Sequence, residues 1–302
     1  MSPEHLVVAS VLLPLISAVL VVACRQRPNL RETVTLVSGG LLLATVSLLI
    51  GSVDTRPAIN LVDVIPGSID RSAIAIGFHV EPLGLLFALV ASGLWIATSV
   101  YSIGYMRSHG EQHQTRFYVC FAIAISAVMG IAFARNLLTL FLFYEILTLS
   151  TYPLVTHHGT EAAKRAGRTY LGILMGTSIV GLLLAILWTW QLAGTLEFKA
   201  GGILEGHVDP LTAGLLLALF AFGTGKAALM PLHRWLPAAM VAPTPVSALL
   251  HAVAVVKAGV FTILKVGVYI FGTDLLSRGG SSVWLMYVAG GTLLTASLVA
   301  LT

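Results

Sequence analysis

The chain has 302 residues, of which 57% are hydrophobic and only 10% charged. A soluble domain carries about 25% charged residues, so this composition excludes a water-soluble globular fold and predicts an all-α polytopic membrane protein. The formal charge of +4 arises from short loops between apolar runs, and no nucleic-acid partner is needed to explain it.

A membrane span needs about 20 mostly apolar residues. Nine runs meet that need, at 5–23, 33–53, 82–104, 116–134, 137–157, 168–194, 210–232, 243–271 and 283–302. The first is preceded by Glu4 and His5 and by no Lys or Arg. It therefore lacks the basic n-region of a signal peptide and is read as a retained helix. Cys24 and Cys120 have no metal-ligand or disulfide spacing and are read as inert. With the N-terminus outside, the inner loops hold Arg25, Arg27, Arg31, Arg107, Arg116, Lys164, Arg165, Arg168 and Arg234. The outer segments hold Arg56, Arg71, Arg135, Lys199 and Arg278. Nine basic residues against five predict a periplasmic N-terminus in a cell inner membrane.

The fifth run, FLFYEILTL, contains Glu145. A charge at the bilayer centre costs about 2.5–3.5 kcal/mol on the insertion scale, and such residues mark paths for ions or protons. At 100° per residue, Thr148, Tyr152 and Thr156 fall within about 60° of Glu145. This hydroxyl stripe can hold water beside the carboxylate, or can serve only as helix–helix hydrogen bonds.

The seventh run carries Lys226 and is interrupted at Pro231 and Pro237, so PLHRWLPAAMVAPTP reads as a broken helix. Proline removes a helix donor and clashes with the preceding turn. Lys226 is the natural partner of Glu145. Burial disfavours a charged lysine and a nearby carboxylate favours it, so a pair able to separate acts as a proton switch; a static pair fixing helix register is the alternative. Straight helices would leave the two at different depths, about 12 Å and about 24 Å from their outer ends. The break after Lys226, tilt or water must close that gap. His233, between the two prolines, extends the relay or sits in a polar turn.

In the eighth run Thr244, Ser247, Thr262 and Lys265 share a stripe with His251, while Lys257 points about 120° away. His251 titrates near neutral pH and can relay protons, or it is a satisfied structural group. Lys257 faces a different neighbour. Lys265, close to the outer end, is an accessory of the path or snorkels to the interface. Gly223-Thr224-Gly225-Lys226 lacks the spacing and the strand of a phosphate loop. No opposed histidines suggest haem and no thiol cluster suggests iron–sulfur, so neither cofactor nor metal is expected.

The segments FLFYEILTLSTYPLV and GTGKAALMPLHRWLPAAMVAPTPVSALLHAVAVVKAGVF resemble the antiporter-like membrane subunits shared by respiratory complex I and the Mrp-type cation/proton antiporters. The resemblance covers residues 75–302 and is nearest to the Mrp A and D type. It implies inverted five-helix repeats, each with a broken helix and a half-channel. It places Glu145, Lys226, His251 and Lys257 on the proton path, with His233 of the broken helix as an accessory; the helical stripes add Thr148, Tyr152, Ser247 and Lys265 as further accessories. It further implies no redox centre in the subunit and other membrane subunits as partners. The expected organisation is a three-helix segment at 1–104, a first translocation repeat at 105–271 and the start of a second at 272–302. A longer or split subunit is expected, because family members carry a second full repeat. The function implied first is proton translocation in a cation/proton antiporter, with sodium as the exchanged cation. Proton pumping in an NADH-quinone oxidoreductase or membrane hydrogenase is the alternative, and proton-driven inorganic-carbon uptake a third.

Overall fold

A computed structural model describes residues 2–67, 72–249, 253–278 and 280–301. Six helices are long and apolar enough to cross a membrane among the described residues. They are α1 (Pro3–Ala23), α2 (Pro28–Leu48), α3 (Pro82–Ser108), α4 (Gln114–Ala132), α5 (Leu137–Val155) and a 33-residue helix over Glu161–Ala193. The chain is thus a multi-pass integral membrane protein. The last three of the nine expected spans are not continuous long helices: they are shorter or broken.

The sequence sets the ends of these helices. Proline opens α1, α2 and α3 at the first turn, where its missing N–H costs nothing. Asn136 caps α5 by accepting from the Thr139 N–H at 2.8 Å, and Thr160 caps the next helix through Ala163 N–H, as short polar side chains do at helix starts. α4 is the centre of the bundle, and 72% of its apolar window is buried against α1, α3 and α5. At the start of α4, Arg31 and Glu32 of α2 are buried. Arg31 donates to Gln114 Oε1 at 2.6 Å, and Glu32 pairs with Arg107. Arg31 and Arg107 therefore pin helices together.

The stretch between α2 and α3, expected as a plain outer loop, contains an antiparallel hairpin. Strands β1 (Ala58–Ile65) and β2 (Ile74–His79) pair in a register running from Ala58↔His79 to Ile65↔Ile74. β2 is largely buried because it plugs the turn between α4 and α5. His79 N–H donates to Phe133 O at 2.8 Å and Arg135 N–H to Gly77 O at 3.0 Å. The Asn136 side chain donates to Ala75 O at 2.6 Å.

The 33-residue helix consists of α6 (Glu161–Thr177), a π turn at Ser178–Leu182 and α7 (Leu183–Ala193). The π turn lies against α8 (Pro210–Gly223). Here Gly181 and Gly223 bring two backbones together. A Cβ on Gly223 would collide with Leu182 N and lie 2.6 Å from Gly181 C.

α8 stops at Gly223, earlier than the two prolines suggested. A 3₁₀ turn over Gly225–Ala227 follows, then Ala228 in the left-handed region at φ 55°. A second 3₁₀ turn (Leu232–Arg234) and the short α9 (Trp235–Ala238) complete the break. Trp235 locks it by donating its indole N–H to Gly225 O at 2.9 Å. The eighth run is divided into α10 (Thr244–Ala248) and α11 (Val255–Val266), with a π turn at Gly267–Phe271. α12 (Thr273–Arg278) and α13 (Val283–Ala300) follow.

Candidate functional site

The break presents Lys226 to α5. The side chain is completely buried, yet its ammonium is well supplied with acceptors. Nζ donates to Tyr144 O at 2.7 Å and to Thr148 Oγ1 at 2.6 Å. It also lies 3.1 Å from the centroid of the Tyr144 ring, a cation–π arrangement. The backbone N–H of Lys226 donates to the Tyr144 hydroxyl at 3.1 Å. The expected break after Lys226 is corrected on this point: the helix ends before it, and the lysine lies within the irregular segment. That placement removes the depth mismatch expected for straight helices. Gly259 of α11 closes the other side, with only 2.5 Å between its would-be Cβ and Lys226 C.

Glu145 is the next residue on α5 after Tyr144. Its two carboxylate oxygens are buried and have no hydrogen-bond partner among the described residues. The ammonium is held by Tyr144 and Thr148, which come before and after Glu145 on α5. The hydroxyl stripe divides in two. Thr148 and Thr151 are buried, and Thr151 Oγ1 meets the Tyr170 hydroxyl at 2.6 Å. Tyr152 and Thr156, further towards the C-terminal end of α5, instead pack on Gly167 of α6.

His233 is half-buried, and its Nδ1 has no partner among the described residues. Ser247 is half-buried on α10 and Thr244 exposed. His251 lies outside the described residues. Lys257 is exposed and lines an apolar groove of about 360 Å³ between α3 and α11, beside Phe87, Val253 and Phe261.

Lys265 does not snorkel to the interface. It is fully buried and lies 2.6 Å from Glu81 Oε1, because the α4–α5 turn and the residues leading into α3 fold over the end of α11. Sequence reasoning missed Glu81 and its neighbour His79, whose Nε2 is 3.4 Å from Glu81 Oε2. The one available signal was an acidic residue directly before the proline that opens an apolar run. Among the described residues no group of three or more His, Cys, Asp or Glu is arranged to hold a metal ion.

Fold and site define a polytopic membrane protein with an enclosed lysine at a helix break, set against an acid on a continuous helix. Residues 134–302 match the family model described as NADH:quinone oxidoreductase/Mrp antiporter, TM. Residues 68–118 match that of the NADH-ubiquinone oxidoreductase (complex I) chain 5 N-terminus. The first match takes in more than half of the chain, which belongs to the NADH:quinone oxidoreductase/Mrp antiporter membrane family.

Among curated relatives, NAD(P)H-quinone oxidoreductase subunit 5, organellar chromatophore 1, of Paulinella chromatophora is 32% identical over 201 residues. That alignment takes in 64% of this chain and 30% of the relative. The chloroplastic subunit 5 of Adiantum capillus-veneris is 31% identical over 237 residues, 76% of this chain and 31% of the relative. The chain thus spans about 30% of the length of these relatives. Among solved structures, the Mrp complex from Dietzia sp. DQ12-45-1b superposes with a TM-score of 0.71 at 22% identity, over 87% of this chain and 28% of that one. The archaeal membrane-bound sulfane sulfur reductase gives 0.68 at 24% identity, over 85% and 52%. Both share the fold.

Proposed function

We propose that this chain forms a proton-conducting part of a membrane subunit of the quinone-oxidoreductase type, working with other membrane subunits and driven by electron transfer outside the chain. The observation that carries the reading is the enclosed Lys226 ammonium at the helix break, held on either side of Glu145. Residues 105–271 are the conducting repeat, 1–104 a three-helix flank and 272–302 the beginning of a further repeat. Glu145 and Lys226 carry the switch, with His233, Ser247, His251 and Lys257 leading onwards. The N-terminus faces the periplasmic side of a cell inner membrane.

The switch works through distance. An opposite charge brought to about 4 Å is worth about 4 kcal/mol at an effective dielectric constant of about 20. That is close to a thousandfold in the lysine's hold on its proton. Lys226 drawn to the carboxylate keeps its proton; Lys226 released into its apolar surroundings gives it up. A proton thereby moves without any redox centre in the chain.

The sequence placed sodium/proton exchange first. The names of the curated relatives, NAD(P)H-quinone oxidoreductase subunit 5, weigh towards the quinone-oxidoreductase alternative. The family itself includes both types. In membrane vesicles bearing the assembled complex, Glu145→Gln and Lys226→Ala should each cut NAD(P)H-driven acidification at least about tenfold, with assembly intact. Wild-type rates in both would sink the reading. Acidification that requires sodium in place of NAD(P)H would restore the antiporter version.

A further inference from the structure

The hairpin end of the bundle carries a second enclosed ion pair. Lys265 Nζ lies 2.6 Å from Glu81 Oε1 and donates to Ala134 O at 2.8 Å and Ala132 O at 3.3 Å. Glu81 Oε2 in turn lies 3.4 Å from His79 Nε2. A cavity of about 250 Å³ adjoins them, lined among others by Arg56, His79, Glu81, Gly201 and Tyr269.

Exposure falls in steps along this line. Arg56 and Gly201 at the cavity rim are open to solvent. The side chains of His79, Glu81 and Lys265 are 15%, 3% and 0% exposed. His79 and Glu81 share the cavity lining with the rim residues, and the two contacts from His79 to Glu81 and from Glu81 to Lys265 span 3.4 Å and 2.6 Å, so two titratable groups stand between the rim and a buried ammonium. The His79 Nδ1 is buried and has no partner among the described residues.

A brace between α11 and the start of α3 would need only the ion pair. Buried ion pairs often stabilise no more than apolar residues of the same size, and a brace has no use for a cavity or for a histidine touching its carboxylate. The charged and titratable groups around Glu81 come from every element packed on it: Lys265 from α11, His79 from β2, Tyr269 from the π turn after α11 and Arg56 from the approach to β1. Lys265 and His79 outweigh burial, which alone would raise the Glu81 carboxyl, and hold it below the ordinary carboxylate range.

We propose that His79, Glu81 and Lys265 form the port through which protons pass between the water at the hairpin end and the interior of the bundle; this rests on the proton-conducting reading above. A proton taken up by the His79 ring moves to Glu81. The neutral carboxyl no longer holds the ammonium, and Lys265 releases its own proton inward. Lys265 then retakes the proton of Glu81, which restores the ion pair. One proton enters and one leaves. From Lys265 to Gly259, beside Lys226, the path runs about 9 Å along α11.

The test uses membranes bearing the assembled wild-type complex and a water-soluble carbodiimide added from the hairpin side. Carbodiimide activates a protonated carboxyl, and a neighbouring amine then displaces the urea to form an amide. Mass spectrometry should show Glu81 modified increasingly as the medium is acidified, with part of it joined to Lys265. Glu81→Gln should lower proton translocation about tenfold, and Glu81→Asp should keep most of it. Glu81 left unmodified at every pH overturns the port however the variants behave, and so does Glu81→Gln pumping at the wild-type rate. Lys226→Ala measured alongside separates the two ideas. An inactive Lys226→Ala with normal Glu81→Gln removes only the port, whereas a normal Lys226→Ala removes the conducting reading itself.

Discussion

Lys226 is fastened to Tyr144 in three ways. Its backbone N–H donates to the phenol, its ammonium donates to the Tyr144 carbonyl, and the same ammonium lies over the ring. The helix break and α5 are thereby joined at one residue, next in sequence to Glu145, whose carboxylate has no hydrogen-bond partner among the described residues. The backbone contact is independent of the ammonium, so in the proposed switch the ammonium moves while the break stays docked on α5.

Thr148→Val should therefore slow translocation while leaving assembly unchanged. Valine keeps the shape but removes the hydroxyl at 2.6 Å from Nζ, and a hydrogen bond to a charged group is worth about 1.5–3 kcal/mol. The initial acidification rate per assembled complex should fall roughly tenfold, and Thr148→Ser should recover most of it. A valine variant working at the wild-type rate would show that the hydroxyl is not part of the switch.

Gly223→Ala should loosen the contact between α8 and the π turn. The added methyl meets backbone atoms of Gly181 and Leu182, which cannot turn aside as a flexible side chain would. Overpacking of this kind costs about 1–3 kcal/mol. Gly214→Ala on the same helix is the control, since its nearest neighbour would be 3.8 Å away. Thermal melting of the purified complex should drop by several degrees for the first and hardly at all for the second. Equal melting temperatures would disprove the close approach.

Acidification should loosen the loops around His157, which follow α3 and α5. Burial lowers the pKa of this histidine and the nearby Arg116 lowers it further, against the opposing pull of Glu111. The fold thus favours the neutral ring. An opened loop takes up a proton first as pH falls through about 6.5. The stability contributed by the neutral ring is therefore complete above that pH and lost below it. Amide exchange of residues 109–116 and 157–159, corrected for intrinsic rates, should rise on acidification, and His157→Gln should flatten the response. The same rise in His157→Gln would place the sensitivity on another group.

Much of this was legible in the sequence, for reasons that also mark where legibility ended. Helical periodicity set Thr148 on the face of Glu145, and that hydroxyl is one of the ligands of Lys226. Periodicity treats one helix at a time, however, and so could not pair Glu81 with Lys265. It left Lys265 as a residue near the interface, whereas the buried lysine of α11 is Lys265 and Lys257 is exposed. Proline marked the broken segment correctly but its start wrongly. The end of α8 is set at Gly223 by a backbone–backbone approach that only the folded chain reveals. The hairpin escaped notice because β2 is covered on both faces and shows no clean alternation of buried and exposed residues.

α8 has 14 residues and rises only about 21 Å, against a hydrocarbon core of about 30 Å. The turns that follow keep backbone groups paired inside the protein, Lys226 N–H with the Tyr144 hydroxyl and Gly225 O with the Trp235 indole, as backbone at membrane depth must be. Beside α8, between it and α6–α7, lies an apolar groove of about 680 Å³ reaching from Trp188 to Leu232, wide enough to seat an acyl chain against the break. The groove is lined by Gly223 at the end of α8 and by Leu232 beyond the break, while Lys226 itself is fully buried and is not part of its lining. A bilayer of different thickness therefore acts first on the ends of this short helix, one of which leads into the break.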